Sequence, residues 1–312
     1  TEEGSIQVWY EPRPFLLCMN CGEYYQRNRG SEFRKLASLA TEGRSTTTTV
    51  LTLSCYKNAP IAPIVGKARK ILSFTDNRQD ASLQAGHFND FTQISYLRGA
   101  LYKALEKKDT LHYDAVAEAV LEEMGLSLTD YAKNKQLQDF SPQADTVRRV
   151  FTEFIAYRVY EDLQRGWRVV QPNLEQCGLL QFKYLGLYEL VNTQELWRYC
   201  PEKFARADPE KKMRVIRTIL NTMRKKLAID ARPLDPKHQE RIEQQASHLL
   251  DERWVSDYTE GIRSSAASFV YPGQTYSEKN RSIFSLSYRS LVGRYMKRTF
   301  GFSSQEYEQS IK

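Results

Sequence analysis

The sequence predicts an α/β N-terminal portion followed by a mostly α-helical region. Three observations carry this expectation. A short apolar strand, Ile71–Thr75, runs into a polar turn and a long helical pattern in "KARKILSFTDNRQDASLQAGHFNDF", residues 67–91. Two cysteines at C-x-x-C spacing, Cys18 and Cys21, precede that junction. From residue 110 onward, amphipathic helical periodicity dominates.

Along the chain, "SIQVWYEPRPFLL" (5–17) alternates as one or two short strands interrupted by Pro12 and Pro14. "CMNCGEYYQRNRG" (18–30) reads as a knuckle and a polar loop. In "EGRSTTTTVLTLSCY", Ser45 suits a helix cap, whereas the threonine run favours a strand. A strand at about 70–75 and a helix at about 77–106 follow, with Leu97, Leu101 and Leu105 on one helix face. "HYDAVAEAVLEEMG" predicts a helix ending at Gly125. "DTVRRVFTEFIAYRVYEDLQRG" sets Val147, Phe151, Phe154, Ile155 and Val159 on one stripe and stops at Gly166. Residues 167–190 break the rhythm and read as strands or a turn-rich connector. In "DPEKKMRVIRTILNTMRKKLAI", Asp208 caps, Pro209 opens the first turn, and Met213, Ile216, Leu220, Met223 and Leu227 form the expected buried face. Helices at about 236–254 and 286–300 complete the pattern. The predicted divisions are 1–66 (strand and knuckle), 67–109 (strand–helix unit) and 110–312 (helical accessory region).

At 312 residues, 41% of them apolar and 27% charged, the chain has the composition of a globular protein with room for two domains. It contains no apolar run of about 18 residues, so no membrane partner is expected. The opening "TEEGSIQVWYEPRPF" resembles no signal peptide and lacks Met, which predicts an internal piece of a longer polypeptide. Five unevenly spaced cysteines argue against a disulfide framework and for a reducing, cytoplasmic setting. A net charge of +7 and a pI near 9.0 point to a polyanionic partner.

Chemistry concentrates at the strand–helix junction. Asp76 sits where an N-cap belongs, with Gln79 three residues later. Residues there lie at the carboxyl edge of a sheet beside a helix start, a place suited to phosphates. Arg78 in the first turn opposes the macrodipole preference for acids, which makes sense facing an anion or acidic partner. An ordinary capped helix accounts for the same residues.

Cys18 and Cys21, followed by Gly22, form half of a tetrahedral zinc site; no second pair follows, and no histidine pair completes it. Two small turn cysteines explain them equally well. Two helices are basic. The first carries Lys211, Lys212, Arg214, Arg217, Arg224, Lys225 and Lys226; the second carries Arg289, Arg294, Lys297 and Arg298 beside Tyr288 and Tyr295. Such faces follow a phosphate backbone or simply face solvent. "RVVQPNLEQCG" gathers Arg168, Gln171, Asn173, Glu175 and Gln176 in a loop that touches a partner or satisfies its own backbone.

"ILSFTDNRQDA" resembles the fourth conserved motif of superfamily 2 helicases, in the form found in large bacterial DEAD/DEAH-box-like DNA helicases of the MrfA-related type. The similarity extends through "SLQAGHFNDF", and to "FLLCMNCGEYY", "EGRSTTTTVLTLS", "RVVQPNLEQCGLL" and "LSYRSLVGRYMKR". It implies that this region opens the second RecA-like domain, which with the first clamps ATP, Mg and one nucleic-acid strand in the parent protein. It also implies that Thr75, Asp76, Arg78, Gln79 and Asp80 place the nucleic-acid backbone or the interdomain interface. DNA, the remaining helicase domains and further protein partners are the implied company, with genome maintenance or defence as the implied setting. The chain departs from the family in having no G-x-x-x-x-G-K-[ST], no DExH and no Q-x-x-G-R-x-x-R. The expectation is therefore a piece with no ATP site of its own. A non-enzymatic helical binding module with a small zinc knuckle is the other reading.

Overall fold

Apolar residues spaced three and four apart in residues 142–162 demand a helix buried along most of its girth, and the larger of two compact units is built around it. The computed structural model describes residues 43–58, 78–164, 173–255, 267–271 and 282–311. These form mostly helices with a two-stranded sheet. In order they are α1 (Gly43–Asn58), α2 (Arg78–Lys108), α3 (Val116–Met124), α4 (Leu128–Tyr131), α5 (Pro142–Asp162) and α6 (Leu187–Asn192). A 3-10 turn at Gln194–Trp197 precedes α7 (Glu202–Ala205) and α8 (Pro209–Lys225); another at Arg232–Leu234 precedes α9 (Pro236–Leu249) and α10 (Glu252–Val255). The rest comprises β1 (Ala267–Val270), β2 (Ser282–Ser285), α11 (Leu291–Phe300) and α12 (Ser304–Ile311).

Residues 37–183 and 223–284 make up the larger unit. Ser141 caps α5, its Oγ accepting from the Ala144 amide, and Pro142 opens the first turn. The expected stripe Val147, Phe151, Phe154, Ile155 and Val159 is buried. Tyr157, Arg158, Glu161 and Asp162 are buried too, so α5 is enclosed on several sides. Leu97 and Leu101 of α2, Val120 and Met124 of α3, and Ile242 and Ala246 of α9 pack on it. Tyr131 stacks on Phe151 at 4.2 Å, and Trp254 meets the same ring edge-on at 5.1 Å. Each fully buried large apolar side chain here contributes about 2 kcal/mol. The buried charges are answered: Arg98 binds Asp162 at 2.6 Å and Arg158 binds Glu161 at 2.9 Å.

Two strands of chain far apart in sequence are joined by a backbone bridge, Ala132 to Leu250. The Lys133 amide donates to the Leu249 carbonyl and the Asp251 amide to the Tyr131 carbonyl. Asp251 then accepts from Arg253 and Lys135, which holds its carboxyl well below the usual carboxylate range.

The smaller unit comprises, of the described residues, 184–222 and 285–311. Its core gathers Leu187, Val191, Phe204, Val215, Met296 and Phe300. Phe300 lies edge-on to Phe204 at 5.2 Å and stacks on Phe302 at 5.2 Å. Ser290 caps α11 by accepting from the Gly293 amide, and Gly301, at φ 66°, ends it in the left-handed conformation.

Several expectations need correction. The threonine run folds as α1; Thr52 Oγ1 donates to the Thr48 carbonyl one turn back, which lets threonine serve in a helix. The larger compact unit runs across residue 110, because α2 shares a core with α3, α5 and α9. On α8, Lys212, Val215 and Arg224 are buried, while Met213, Ile216, Leu220 and Met223 are only partly covered. Leu227, the last residue of the expected face, is buried just past the end of α8. The strand at 70–75 and the knuckle at Cys18 and Cys21 lie outside the described residues, as does Gly166; α5 ends at Asp162.

Candidate nucleic-acid interface

The two basic helices foreseen in the sequence meet in the smaller unit. Asp208 starts α8 by accepting from the Glu210 and Lys211 amides, at 2.9 and 3.4 Å. From that cap, Lys211, Arg214 and Thr218 fall on one stripe at i, i+3 and i+7. On α11, Arg294, Lys297 and Arg298 fall at i, i+3 and i+4. Tyr295 Oη lies 3.4 Å from Thr218 Oγ1, and Lys211 Nζ lies 4.7 Å from the centre of the Phe300 ring. Low numbers on α8 thus meet high numbers on α11, so the helices run antiparallel.

Arg217, Arg289, Lys297 and Arg298 are exposed and Arg294 is half-buried. Lys297 Nζ rests 5.3 Å from the Tyr288 ring centre, and Arg294 Nε donates to the Ser290 carbonyl at 3.4 Å. In both contacts the charged group itself is engaged, by a ring face in one and by a carbonyl in the other, and Lys297 stays exposed. Among the described residues no carboxylate pairs with Lys211, Arg214, Arg217, Arg289 or Lys297. The pairs that do form in this unit, Lys203–Glu306 and Arg206–Glu202, use other cations. Residues 184–222 and 285–311 carry eleven Lys and Arg against seven Asp and Glu. Such a surface attracts phosphates and releases their counterions on contact.

Two residues leave this set. Arg224 is 6% exposed: its guanidinium lies 3.6 Å from the Phe182 ring centre and Nη2 bonds Glu175 at 2.5 Å. It holds the 173–183 connector and does not face a phosphate. Lys212, 1% exposed, donates to the Ala205 carbonyl at 2.7 Å and to Gln194 at 3.4 Å. Lys225, at the end of α8, is half-buried in the larger unit.

Arg78, Gln79 and Asp80 stand in the first turn of α2, where the junction reading put them; Thr75 and Asp76 lie outside the described residues. Cys55 and Cys177 are exposed and Cys200 is half-buried, none of them in a disulfide, and burial pushes the Cys200 thiol up. Among the described residues no group of three or more His, Cys, Asp or Glu gathers to hold a metal.

The larger unit has a second cationic place, an open depression of about 390 Å³ lined by Arg232, Asp235, Lys237, His238 and Arg241. Glu153 already accepts from Arg232 at 3.2 Å and from Arg241 at 3.4 Å. Burial lowers the His238 pKa, with Arg232 and Arg241 adding to the effect. Internal neutralisation leaves it a weaker anion site than the α8–α11 face.

Sequence reading did not single out Tyr188 on α6, or Arg198 and Tyr199 directly after the 3-10 turn, all of them exposed. The available signal was a run of large apolar residues without helical period in "LGLYELVNTQELWRYC". No family model, curated protein or solved structure matches this chain. No helix among the described residues is long and apolar enough to cross a membrane.

Proposed function

We propose that this chain is an internal part of a cytoplasmic ATP-dependent DNA helicase or translocase. In this reading it contributes the fourth motif, which opens a second RecA-like domain, and a helical accessory region that grips the DNA backbone. The observation that carries the reading is the contact of α8 with α11 through Tyr295–Thr218 and Lys211–Phe300, two helices of a single unit that both expose cations, Arg214 and Arg217 on one and Lys297 and Arg298 on the other. A resting surface gains nothing from such crowding of like charge; a polyanion makes it favourable. The likeness of "FTDNRQDA" to the helicase motif supplies the motor. ATP and Mg then bind to parts of the parent protein that carry the P-loop and acidic box. Zinc at Cys18 and Cys21 belongs to the same proposal.

The test uses the longer protein containing these parts. Arg78→Ala is expected to lower DNA-stimulated ATP hydrolysis at least tenfold, the scale of a lost positioning contact, while leaving the melting curve unchanged. An unaltered stimulated rate removes the motif assignment. A chain that binds single-stranded DNA with no ATPase anywhere in the parent protein supports the non-enzymatic binding module instead.

A further inference from the structure

The open depression on the larger unit holds more positive charge than its own carboxylates answer. It measures about 390 Å³ and is lined by Arg232 from the second 3-10 turn and by Asp235, Lys237, His238 and Arg241 from the start of α9. Glu153 of α5 reaches two of these cations and is divided between them. Its contacts are 3.2 Å to Arg232 and 3.4 and 3.5 Å to Arg241, longer than the roughly 2.7–2.9 Å of a well-made charge-assisted bond. Asp235 accepts from the His238 amide at 2.8 Å as the cap of α9. Lys237 is exposed and has no carboxylate partner among the described residues. Three cations therefore stand against two carboxylates, at the end of a helix whose dipole already disfavours cations. The first turn of α9 holds no acid to offset them.

His238 adds a neutral donor. The Arg241 guanidinium, which can only donate, lies 2.9 Å from Nδ1, so that nitrogen accepts and the imidazole proton sits on Nε2. Burial lowers the His238 pKa and Arg232 and Arg241 lower it further, while Glu153 and Asp235 pull the other way; an anion in the depression acts with the carboxylates.

We propose that this depression binds a small anion carrying a diphosphate group, held by Arg232, Lys237 and Arg241. Its volume falls at the lower end of the range of about 300–1,000 Å³ for small-ligand sites, with room for more than a single phosphate. A guanidinium grips phosphate oxygens in pairs, and a lysine supplies a compact point charge. Glu153 weakens the site for a singly charged ligand; a diphosphate carries charge enough to displace it from the arginines. No Phe, Tyr or Trp lines the depression, so recognition stops at the phosphates and gives a nucleotide base no surface to stack on. The bound group would tie the 3-10 turn to the start of α9. This inference stands apart from the helicase reading, because it requires neither DNA nor a motor.

Isothermal titration calorimetry with pyrophosphate on the intact chain, at low salt and without divalent metal, tests the site. Arg241→Ala should weaken binding about tenfold, the scale of a lost charge-assisted bond. Glu153→Gln should tighten it about threefold, because the competing carboxylate is gone. A merely structural role for Glu153 predicts no such gain. Arg217→Ala, in the other unit, should leave the affinity unchanged. A thermal melt gives a second readout that does not depend on equal stability of the variants: pyrophosphate should raise the melting temperature of the parent and not that of Arg241→Ala. ADP binding with the same dependence on Arg241 supports the site and names nucleotides as the source of the diphosphate. Exclusion of ADP while pyrophosphate binds supports it and names the free anion. No binding by the parent, equal binding by Arg241→Ala, or weaker binding by Glu153→Gln overturns the proposal. So does displacement of pyrophosphate by oligothymidine at equal phosphate concentration, which assigns the depression to a nucleic-acid backbone.

Discussion

Arg217 and Arg224 sit two helical turns apart on α8 and carry the same charge, yet their surroundings give them opposite tasks. Arg217 is exposed with no carboxylate partner among the described residues, so its substitution by alanine should change stability by less than about 0.5 kcal/mol. It should weaken DNA binding and make the salt slope shallower by about one. Arg224 is enclosed by Phe182 and Glu175, with Nε and Nη1 buried and unbonded. Arg224→Ala strips Glu175 of its partner and opens a gap, at a cost of about 2 kcal/mol or more. It should leave the salt slope alone. Chemical denaturation and anisotropy on the two variants check both halves. No sequence pattern separates these arginines, because burial of Arg224 depends on Phe182 and Glu175, over forty positions away. Lys212 is likewise buried through partners off its own helix, the Ala205 carbonyl at the end of α7 and the Gln194 side chain.

Helices were legible where their signals are local. The α5 stripe, the Asp208 cap and the left-handed Gly125 after α3 (φ 59°) all depend on residues within a few positions. α1 was ambiguous because threonine propensity and a cap signal competed, and only packing on α2 settles such a contest. The start of α11 turns on a close approach no local pattern reveals. A Cβ on Gly293 would lie 2.5 Å from the Ser287 carbonyl oxygen and equally close to that of Tyr288. Both are backbone atoms that cannot swing aside. Gly293→Ala should therefore cost about 2–3 kcal/mol and lower the melting temperature by several degrees. Because α11 carries Lys297 and Arg298, the same variant should weaken DNA binding without removing a single cation. A thermal melt and an anisotropy titration test this together.

At the scale of the whole molecule, Asp251 is where distant parts of the larger unit are fastened. Arg253 and Lys135 hydrogen-bond its carboxylate, which is 16% exposed. Its folded-state pKa lies below the ordinary value near 3.8, so its stabilisation is complete above that value and fades as pH falls through the depressed one. Asp251→Asn should cost about 1–2 kcal/mol near neutral pH, the exposure of Lys135 and Arg253 having already screened part of the attraction. The gap between variant and parent should close on acidification below about pH 4, read by urea titrations at several pH values. The bridge from Ala132 to Leu250 beneath that carboxylate also governs how the gene can be cut. A shortened version ending ahead of Leu249 would leave the Tyr131 carbonyl and the Lys133 amide without the backbone partners they have on the far strand, so a workable boundary must retain both flanks or neither.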